Sequence, residues 1–312
     1  MTDTLLESSL QTAFITATPI LLAATGELLA EKSGIYNIGI EGIMLLGALA
    51  GFVAGYESGS FVAAMCAGAA VGALAAAIFA VVSIVLGGEL VIAGLGLVFG
   101  ALGLTGALGV DYVQQSAGVS VPVIDVPGAA SLPVIGPALF NQPVMVYLAF
   151  GLPLLVGLML KRSQHGLNLR ATGEDPEVAD ALGVDVTRMR VLYALVGGAL
   201  AGVGGAFLSV GVVGTWISNI SGGQGWTAFA IVIFAGWRPS LLIVGALLFG
   251  GLGTLGNVGQ ALGWDVPSQV FSALPFAGTL LVLLLAAGIR ARTTSSPPWP
   301  SALGRPFFRG AA

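Results

Sequence analysis

The chain has 312 residues, of which 56% are hydrophobic and only 8% are charged, and its mean hydropathy is +0.97. Soluble domains carry about 25% charged residues, so this composition excludes an ordinary water-soluble protein and indicates a membrane protein. A single Cys and a single His exclude internal disulfides and the common Cys/His zinc sites, and the net charge of −4 argues against nucleic-acid binding.

Apolar segments follow one another along almost the whole chain. Because a bilayer core needs roughly 20 mostly apolar helical residues to cross it, we predict one all-α domain over residues 1–312, a polytopic membrane helix bundle. It has about nine transmembrane helices, or eight to ten if the segment 224–237 is re-entrant or the first span is split at Pro19. The predicted spans are 9–30, 38–56, 61–87, 89–108, 142–160, 191–213, a shorter one at 224–237, 240–258 and 268–289.

Positive charge is distributed very unevenly between these spans. No Lys or Arg lies between Lys32 and Lys161, and the eleven basic residues fall at Lys32, in 161–190, at Arg238 and after residue 289. Since cytoplasmic loops are enriched in Lys and Arg, we predict a cytoplasmic loop at 161–190, a cytoplasmic tail at 290–312 and an external loop at 109–141. This arrangement puts the N-terminus outside the cell membrane. The acidic N-terminal stretch lacks the positive region of a secretory signal, so we expect it to belong to the mature protein.

Glycine indicates how the helices pack. In lipid, helices associate mainly through close backbone approach at small residues, so the 48 glycines predict a tight bundle. The pentamer Gly-Ala-Leu-Ala-Gly occurs at 47–51 and 198–202, which is either the trace of a parallel internal repeat or a coincidence of composition. The glycines with small-xxx-small spacing are Gly47/Gly51/Gly55, Gly68/Gly72, Gly96/Gly100 and Gly198/Gly202.

Two segments look like nucleotide-binding motifs but lack features that such motifs require, and helix packing explains the second of them better. The stretch 26–33 resembles a phosphate loop, yet Glu31 stands where a Gly must wrap the phosphate. The stretch 251–256 fits a dinucleotide pattern but lies within an apolar span with no preceding strand. We therefore expect no catalytic residues, no metal and no cofactor bound by this chain.

A polar motif at residues 31–45 lies at the edge of the predicted membrane spans, where burying a carboxylate costs free energy. Asn37 and Glu41 are four residues apart, so in a helix they would share one face about 6 Å apart. Carboxylates within membranes usually face a cavity or a partner, which suggests that the two residues line a polar path. The alternative is structural: Glu41 could cap exposed backbone amides where a helix begins at Gly39.

A short capped helix is predicted inside the loop 161–190. Asp175 is a good N-cap, Pro176 suits the first helical position, and Gly183 can take the left-handed conformation that ends a helix. The helix is too short to be stable alone, so it needs a surface to dock on, either a partner protein or the membrane domain itself. The residues that define this segment and its apolar face are Gly173, Glu174, Asp175, Pro176, Glu177, Val178, Ala181, Leu182 and Gly183.

These motifs resemble the permease subunits of bacterial and archaeal ABC importers, in the branch with ribose-type sugar, branched-chain amino acid and nucleoside permeases. Within that branch the chain looks most like the nucleoside permeases. In the family, the short cytoplasmic helix is the coupling element that sits in a groove of the ATPase, a role the resemblance carries to residues 175–183. Here Asp175 stands where Asn is common and Val184 where Ile is common. The matching runs are 31–45, 173–184, 193–211, 221–226 and 303–307.

The resemblance implies an assembly and a solute path. The partners would be an ABC ATPase subunit that uses the ATP, a second permease subunit that is a paralogue, an extracellular or periplasmic solute-binding protein, and membrane lipid. A nucleoside path would suit aromatic faces and amides near the external end, although Trp216 and Trp226 could instead be interface anchors. The residues expected to contribute are Trp216, Asn219, Gln224, Trp226 and Phe229.

Other functions remain open at this point. Within the class, the solute could be a simple sugar or a branched-chain amino acid. From another class, the chain could be an ion-coupled secondary transporter that uses Glu41 or Glu27 as its ion site. The short capped helix favours the ABC assignment, because a secondary transporter has no need of it.

Overall fold

The computed structural model of the protein describes residues 2–125, 135–261 and 299–308, with isolated positions between 270 and 288. These residues form eleven α-helices and one two-stranded sheet. The helices are α1 (Thr2–Lys32), α2 (Ile40–Ser58), α3 (Phe61–Ala80), α4 (Leu90–Leu108), α5 (Ile135–Phe140), α6 (Val144–Arg162), α7 (Gln164–Glu174), α8 (Pro176–Ala181), α9 (Val186–Phe207), α10 (Gln224–Phe234) and α11 (Pro239–Ala261). Single π-helical segments extend α3 over Val81–Val85 and α9 over Leu208–Val213.

Six helical segments among the described residues are long and apolar enough to cross a membrane. The predicted span 224–237 corresponds to the short helix α10, and α11 contains a shorter apolar stretch, Pro239–Thr254. The predicted span 268–289 lies outside the described residues apart from isolated positions, so a count of nine is not confirmed. The six spans are Glu7–Lys32, Ile40–Ser58, Phe61–Val85, Leu90–Leu108, Val144–Arg162 and Val186–Val213.

The first span is continuous, so the alternative of a split at Pro19 is wrong. Proline in a helix removes one backbone hydrogen bond, and tertiary packing can hold the helix together despite that loss. Here α9 packs directly on this turn, because a methyl group added at Gly204 would lie 2.6 Å from the Pro19 carbonyl oxygen.

The helix α9 is the centre of the bundle and touches α1, α2 and α3 through glycine. A methyl group at Gly202 would meet the backbone of Gly68 and lie 2.9 Å from the Cα of Gly72. The pentamers 47–51 and 198–202 face each other, since a methyl group on Gly47 would collide with Gly202. Glycine packing is therefore confirmed for α2, α3 and α9. It is wrong for Gly96 and Gly100, because a methyl group added at either would meet no other described element within 4 Å, and α4 lies at the edge of the bundle.

The described basic residues gather at one end of the bundle, which we call the basic end. Five of them line a single cavity: Lys32, Lys161, Arg162, Arg170 and Arg238. Arg190 lies beside this group, where its side chain bonds to the carbonyl oxygens of Ser33 and Arg305. The C-terminal ends of α2 and α4 lie at the opposite end.

The described part of the segment 109–141 lies at that opposite end. The strand Val123–Asp125 pairs antiparallel with Asn141–Pro143, so the predicted loop contains a short two-stranded sheet. The segment also pairs with the chain after α9, since Val113 and Ser116 form isolated bridges with Trp216 and Thr215. The described part of this segment therefore covers the end of the bundle.

Candidate functional site

The carboxylate of Glu41 holds the beginning of another helix. Glu41 is buried in the first turn of α2, and its oxygens accept hydrogen bonds from the Ser221 hydroxyl at 2.6 Å, the Gly223 N–H at 2.9 Å and the Gly225 N–H at 2.7 Å. The helix α10 begins here with Gly223 at its N-cap, where φ is +89° and no side chain of the segment caps the helix. The first amides of a helix have no partner within it. Glu41 supplies that partner from 182 residues away.

Glycine makes this close approach feasible. A methyl group at Gly225 would lie 2.5 Å from the Cα of Glu41, so α10 could not begin at this position with a larger residue there. A carboxylate also interacts favourably with the positive end of a helix dipole. The contacts of Glu41 thus agree with the structural alternative, in which its carboxylate caps exposed backbone amides at the start of a helix. The difference is that the capped helix is α10 and not α2.

Asn37 and Glu41 do not share a helical face, so that prediction is wrong. The helix α2 begins only at Ile40, and Asn37 lies in the preceding turn. There its side-chain oxygen accepts the Gly39 N–H at 2.9 Å, and its own N–H donates to the Glu27 carboxylate at 2.7 Å. A local Asx turn competes with helix at such residues, which explains why Asn37 precedes the helix instead of belonging to it.

Two of the residues predicted to contribute to the solute path lie outside α10. Trp216 is completely buried at the end opposite the basic end, where its ring packs 5.9 Å from that of Phe52 and its backbone pairs with Gln114. It is a core residue, because long-range pairing with the segment 109–141 covers it. Asn219 is exposed in a tight turn with a φ of +57°, a conformation that Asn tolerates better than most residues.

The other three predicted path residues lie together on α10. Trp226 is 46% exposed and its indole N–H donates to the Ile38 carbonyl at 3.3 Å. Phe229, one turn further along, is partly buried. At the first residue of the helix, Gln224 places its side-chain oxygen in the interior, with no hydrogen-bond partner in the part of the chain that the structure describes. The surface of α10 thus presents aromatic faces, whereas the Gln224 oxygen points inward.

The short helix α8 forms as the sequence predicts. The Asp175 carboxylate accepts the Val178 N–H at 3.0 Å, Pro176 occupies the first turn, and Gly183 has a φ of +86°. Val178 is 53% and Leu182 is 79% exposed, and Ala181 is exposed beside them, so the predicted apolar face is open. The helix rests on Ala179 instead, which is buried.

Sequence reasoning missed the preceding helix α7 and a contact of the tail that fixes it. The segment Ser301–Arg305, which we call the tail clasp, bonds to the end of α7 and to the turn after α1. The backbone N–H and hydroxyl of Ser301 donate to the Glu174 carboxylate at 3.1 and 2.8 Å, and the Ala302 N–H donates to the Gly173 carbonyl at 2.9 Å. Gly173 has no room for a side chain, because a methyl group there would collide with the carbonyl of Lys32.

The clasp also reaches two other elements. The Gly304 N–H donates to the Gly34 carbonyl at 2.9 Å. The buried guanidinium of Arg190, near the start of α9, donates to the carbonyls of Arg305 at 2.9 Å and Ser33 at 3.3 Å. The tail clasp thereby joins the end of α7, the turn after α1 and the start of α9 at a point directly before the helix α8.

The arrangement offers binding surfaces rather than reactive groups. Among the described residues, no three His, Cys, Asp or Glu side chains are grouped so that they could hold a metal ion. The nucleotide-like stretches 26–33 and 251–256 both run through helix, in α1 and α11, and do not form phosphate-binding loops.

Comparison with known proteins identifies the family. The profile of the permease component of branched-chain amino acid transport systems matches residues 9–285. TsgC13 of Haloferax volcanii, named as a candidate glucose ABC transporter permease, is 39% identical over 85% of this chain and 80% of its own length. The nucleoside ABC transporter permease protein NupC of Lactococcus lactis is 31% identical over 88% of this chain and 90% of its own length.

A third relative, the guanosine ABC transporter permease protein NupQ of Bacillus subtilis, is 28% identical over 94% of both chains. The family match and these relatives extend over most of the chain, including α2, α8 and α10. The protein therefore belongs to the family of the branched-chain amino acid transport permease component, and it is a multi-pass permease subunit of an ABC transporter.

Proposed function

We propose that this subunit carries nucleosides into the cell and forms part of the solute path of an ABC importer. The nucleoside and guanosine permeases NupC and NupQ, to which this chain is similar, support a nucleoside as the solute. The chemistry of α10 agrees with this, because Trp226 and Phe229 offer faces on which a base can stack. The cap at Glu41 fixes where this surface begins.

The basic end faces the cytoplasm in this proposal. Basic residues are retained on the cytoplasmic side of membrane proteins, and the described ones lie at one end of the bundle. The helix α8 and the tail clasp lie at the same end. The segment 109–141 then faces outward, where a solute-binding protein would deliver its cargo.

The helix α8 is the proposed docking element for a separate ATPase subunit. The observation that carries this step is the exposure of Leu182 and Val178 on a helix capped at both ends. An apolar surface displayed by an ordered segment marks an interaction site. ATP is used by that partner, and a second permease subunit, a paralogue of this one, completes the path.

A simple sugar is the second candidate solute, because TsgC13 is named for glucose. An ion-coupled transporter is a weaker alternative. Among its suggested ion sites, the Glu41 carboxylate already accepts three hydrogen bonds and one Glu27 oxygen accepts the Asn37 N–H.

The test is uptake into proteoliposomes that contain the complete transporter with its ATPase. We expect ATP-dependent uptake of guanosine that excess glucose does not inhibit. Glucose uptake without guanosine uptake would assign the sugar instead, and uptake in liposomes that lack the ATPase would refute the ABC mechanism.

A variant pair tests the docking step. Leu182→Asp places a charge on the exposed apolar face of α8, so we expect the ATPase to dissociate and uptake to stop. Leu167→Asp is the matched control, since Leu167 is exposed on the neighbouring helix α7 and outside the docking face. Equal uptake by the two variants would remove α8 from the interface.

A further inference from the structure

A cavity of about 330 Å³ opens beside the last turns of α1 and α10, at the basic end of the bundle. Its size is at the lower end of the range of about 300–1,000 Å³ that small-molecule sites occupy. Four aromatic side chains and one carboxylate stand out among its lining residues, and we call these five the aromatic cage: Glu31, Tyr36, Phe229, Trp237 and Trp299.

The carboxylate of the cage has a free hydrogen-bonding position. Glu31 is only 1% exposed, and one of its oxygens accepts the indole N–H of Trp237. The other oxygen has no hydrogen-bond partner among the described residues. A buried acceptor without a donor is costly, and each such group calls for an explanation. A ligand with an N–H donor would satisfy it.

The backbone at Trp237 is held in an unusual conformation. Its φ is +56°, in the left-handed region that bulky residues rarely adopt, and it follows Gly236 at +58°. This turn brings the indole N–H to Glu31 and the ring to 6.3 Å from that of Trp299, at an angle of 64°. Such strained residues cluster at ligand-binding sites, because the surrounding structure must hold them there.

The walls of the cage are suited to a flat, uncharged ring. Burial, and to a smaller extent the nearby Glu89 carboxylate, raise the pKa of the Tyr36 phenol above its ordinary value, so this wall is neutral at physiological pH. Trp299 is half exposed and lies at the mouth of the cavity. Lys32 follows Glu31 in the chain but lines the neighbouring cavity beside α6, so its ammonium lies outside the cage.

We infer that the aromatic cage binds a planar heterocycle with ring N–H donors, which stacks on the aromatic side chains while an N–H donates to Glu31. This inference rests on the proposed function and deepens it: the heterocycle is the base of the transported nucleoside. Phe229 belongs both to the cage and to the path surface of α10. The cage is therefore the last contact of the solute before release at the basic end.

The test measures equilibrium binding of radiolabelled guanosine and of 1-methylguanosine, which lacks one ring N–H, to the complete transporter without ATP. In the unmodified protein we expect guanosine to bind about tenfold more tightly, the equivalent of one hydrogen bond of about 1.4 kcal/mol. Glu31→Gln presents its NH2 group to the ligand, since its oxygen still accepts the Trp237 N–H. It should therefore abolish the preference for guanosine over 1-methylguanosine. Trp299→Leu removes one stacking face and should weaken both ligands about tenfold.

Two control variants separate the cage from its surroundings. Phe308→Leu changes an exposed aromatic residue of the same tail, and Glu57→Gln changes an exposed carboxylate near the far end of α2; neither lines the cage, so both should bind guanosine like the unmodified protein. Cage variants that bind and discriminate like these controls would overturn the inference. Competition by choline would also overturn it, because it would identify the site as one for organic cations.

Uptake measured in parallel separates this inference from the proposed function. If the unmodified transporter takes up guanosine but the cage variants match the controls, only the cage is refuted. If it takes up glucose and no guanosine, the proposed solute is wrong, and the cage stands only if guanosine still binds with the predicted preference. Absence of both uptake and binding would refute both.

Discussion

The strongest prediction concerns the carboxylate that caps α10 from α2. Glu41→Ala removes the acceptor of three hydrogen bonds, from the hydroxyl of Ser221 and from the amides of Gly223 and Gly225. The hydroxyl can turn to another acceptor, but the two amides are fixed by the helix. A donor left without a partner costs about 1–3 kcal/mol, so we expect a loss of about 2–6 kcal/mol in unfolding free energy.

Glu41→Gln should cost less than Glu41→Ala. It keeps one oxygen as an acceptor but presents an NH2 group to one of the two amides. We expect about half of the alanine effect, roughly 1–3 kcal/mol. A loss of unfolding free energy that is larger for alanine than for glutamine distinguishes lost hydrogen bonds from a general effect of the missing charge, because both variants lack that charge.

The assay is reversible unfolding in mixed detergent micelles, followed by circular dichroism. Glu57→Ala is the control, because Glu57 is exposed near the other end of α2 and should change the free energy by less than about 0.5 kcal/mol. Combining Glu41→Ala with Ser221→Ala should give a coupling energy of at least about 0.5 kcal/mol, since the two groups are in contact. An effect of Glu41→Ala no larger than that of the control, with no coupling to Ser221, would refute the capping argument.

Three further predictions concern packing and coupling. Gly202→Ala should prevent folding because its methyl group meets the backbone of α3, whereas Gly100→Ala, with open space around it, should yield normal amounts of monodisperse protein in size-exclusion chromatography. Asp175→Ala should destabilise α8 by about 1 kcal/mol and slow ATP-driven uptake, and Asp175→Asn, which keeps the cap, should restore it. Arg190→Lys cannot maintain the hydrogen bonds both to the tail clasp and to the turn after α1. We therefore expect the ratio of solute transported to ATP hydrolysed to fall. Arg188→Lys is the control, because Arg188 is exposed, and it should leave this ratio unchanged.

Local rules allowed the sequence to predict some parts of the site. The cap at Asp175 and the end of α8 at Gly183 depend on residues within one turn, and their conformations match the prediction. Six of the predicted spans, which were inferred from apolar length alone, match helices that are long and apolar enough to cross a membrane. The charge pattern also anticipated that the described basic residues would lie together at one end.

The errors arose where distant segments meet. Four-residue spacing placed Asn37 and Glu41 on one helix face, but Asn37 lies in an Asx turn that precedes α2. The donors to Glu41 lie about 180 residues away, and nothing in the motif identifies them. Trp216 was assigned to the path by its aromatic character, whereas pairing with the segment 109–141 buries it. The tail clasp depends on main-chain groups, which carry no residue-specific signal.

The position of Glu41 has an electrostatic consequence for what can pass beside it. Two helices, α2 and α10, start at this point, and each contributes roughly half a positive elementary charge at its first turn. The Glu41 carboxylate lies at both helix starts and opposes this positive potential. The site therefore attracts anions less than two uncapped helix starts would. In the solute path proposed above, this balance of charge favours uncharged polar molecules, a property that nucleosides and hexoses have in common.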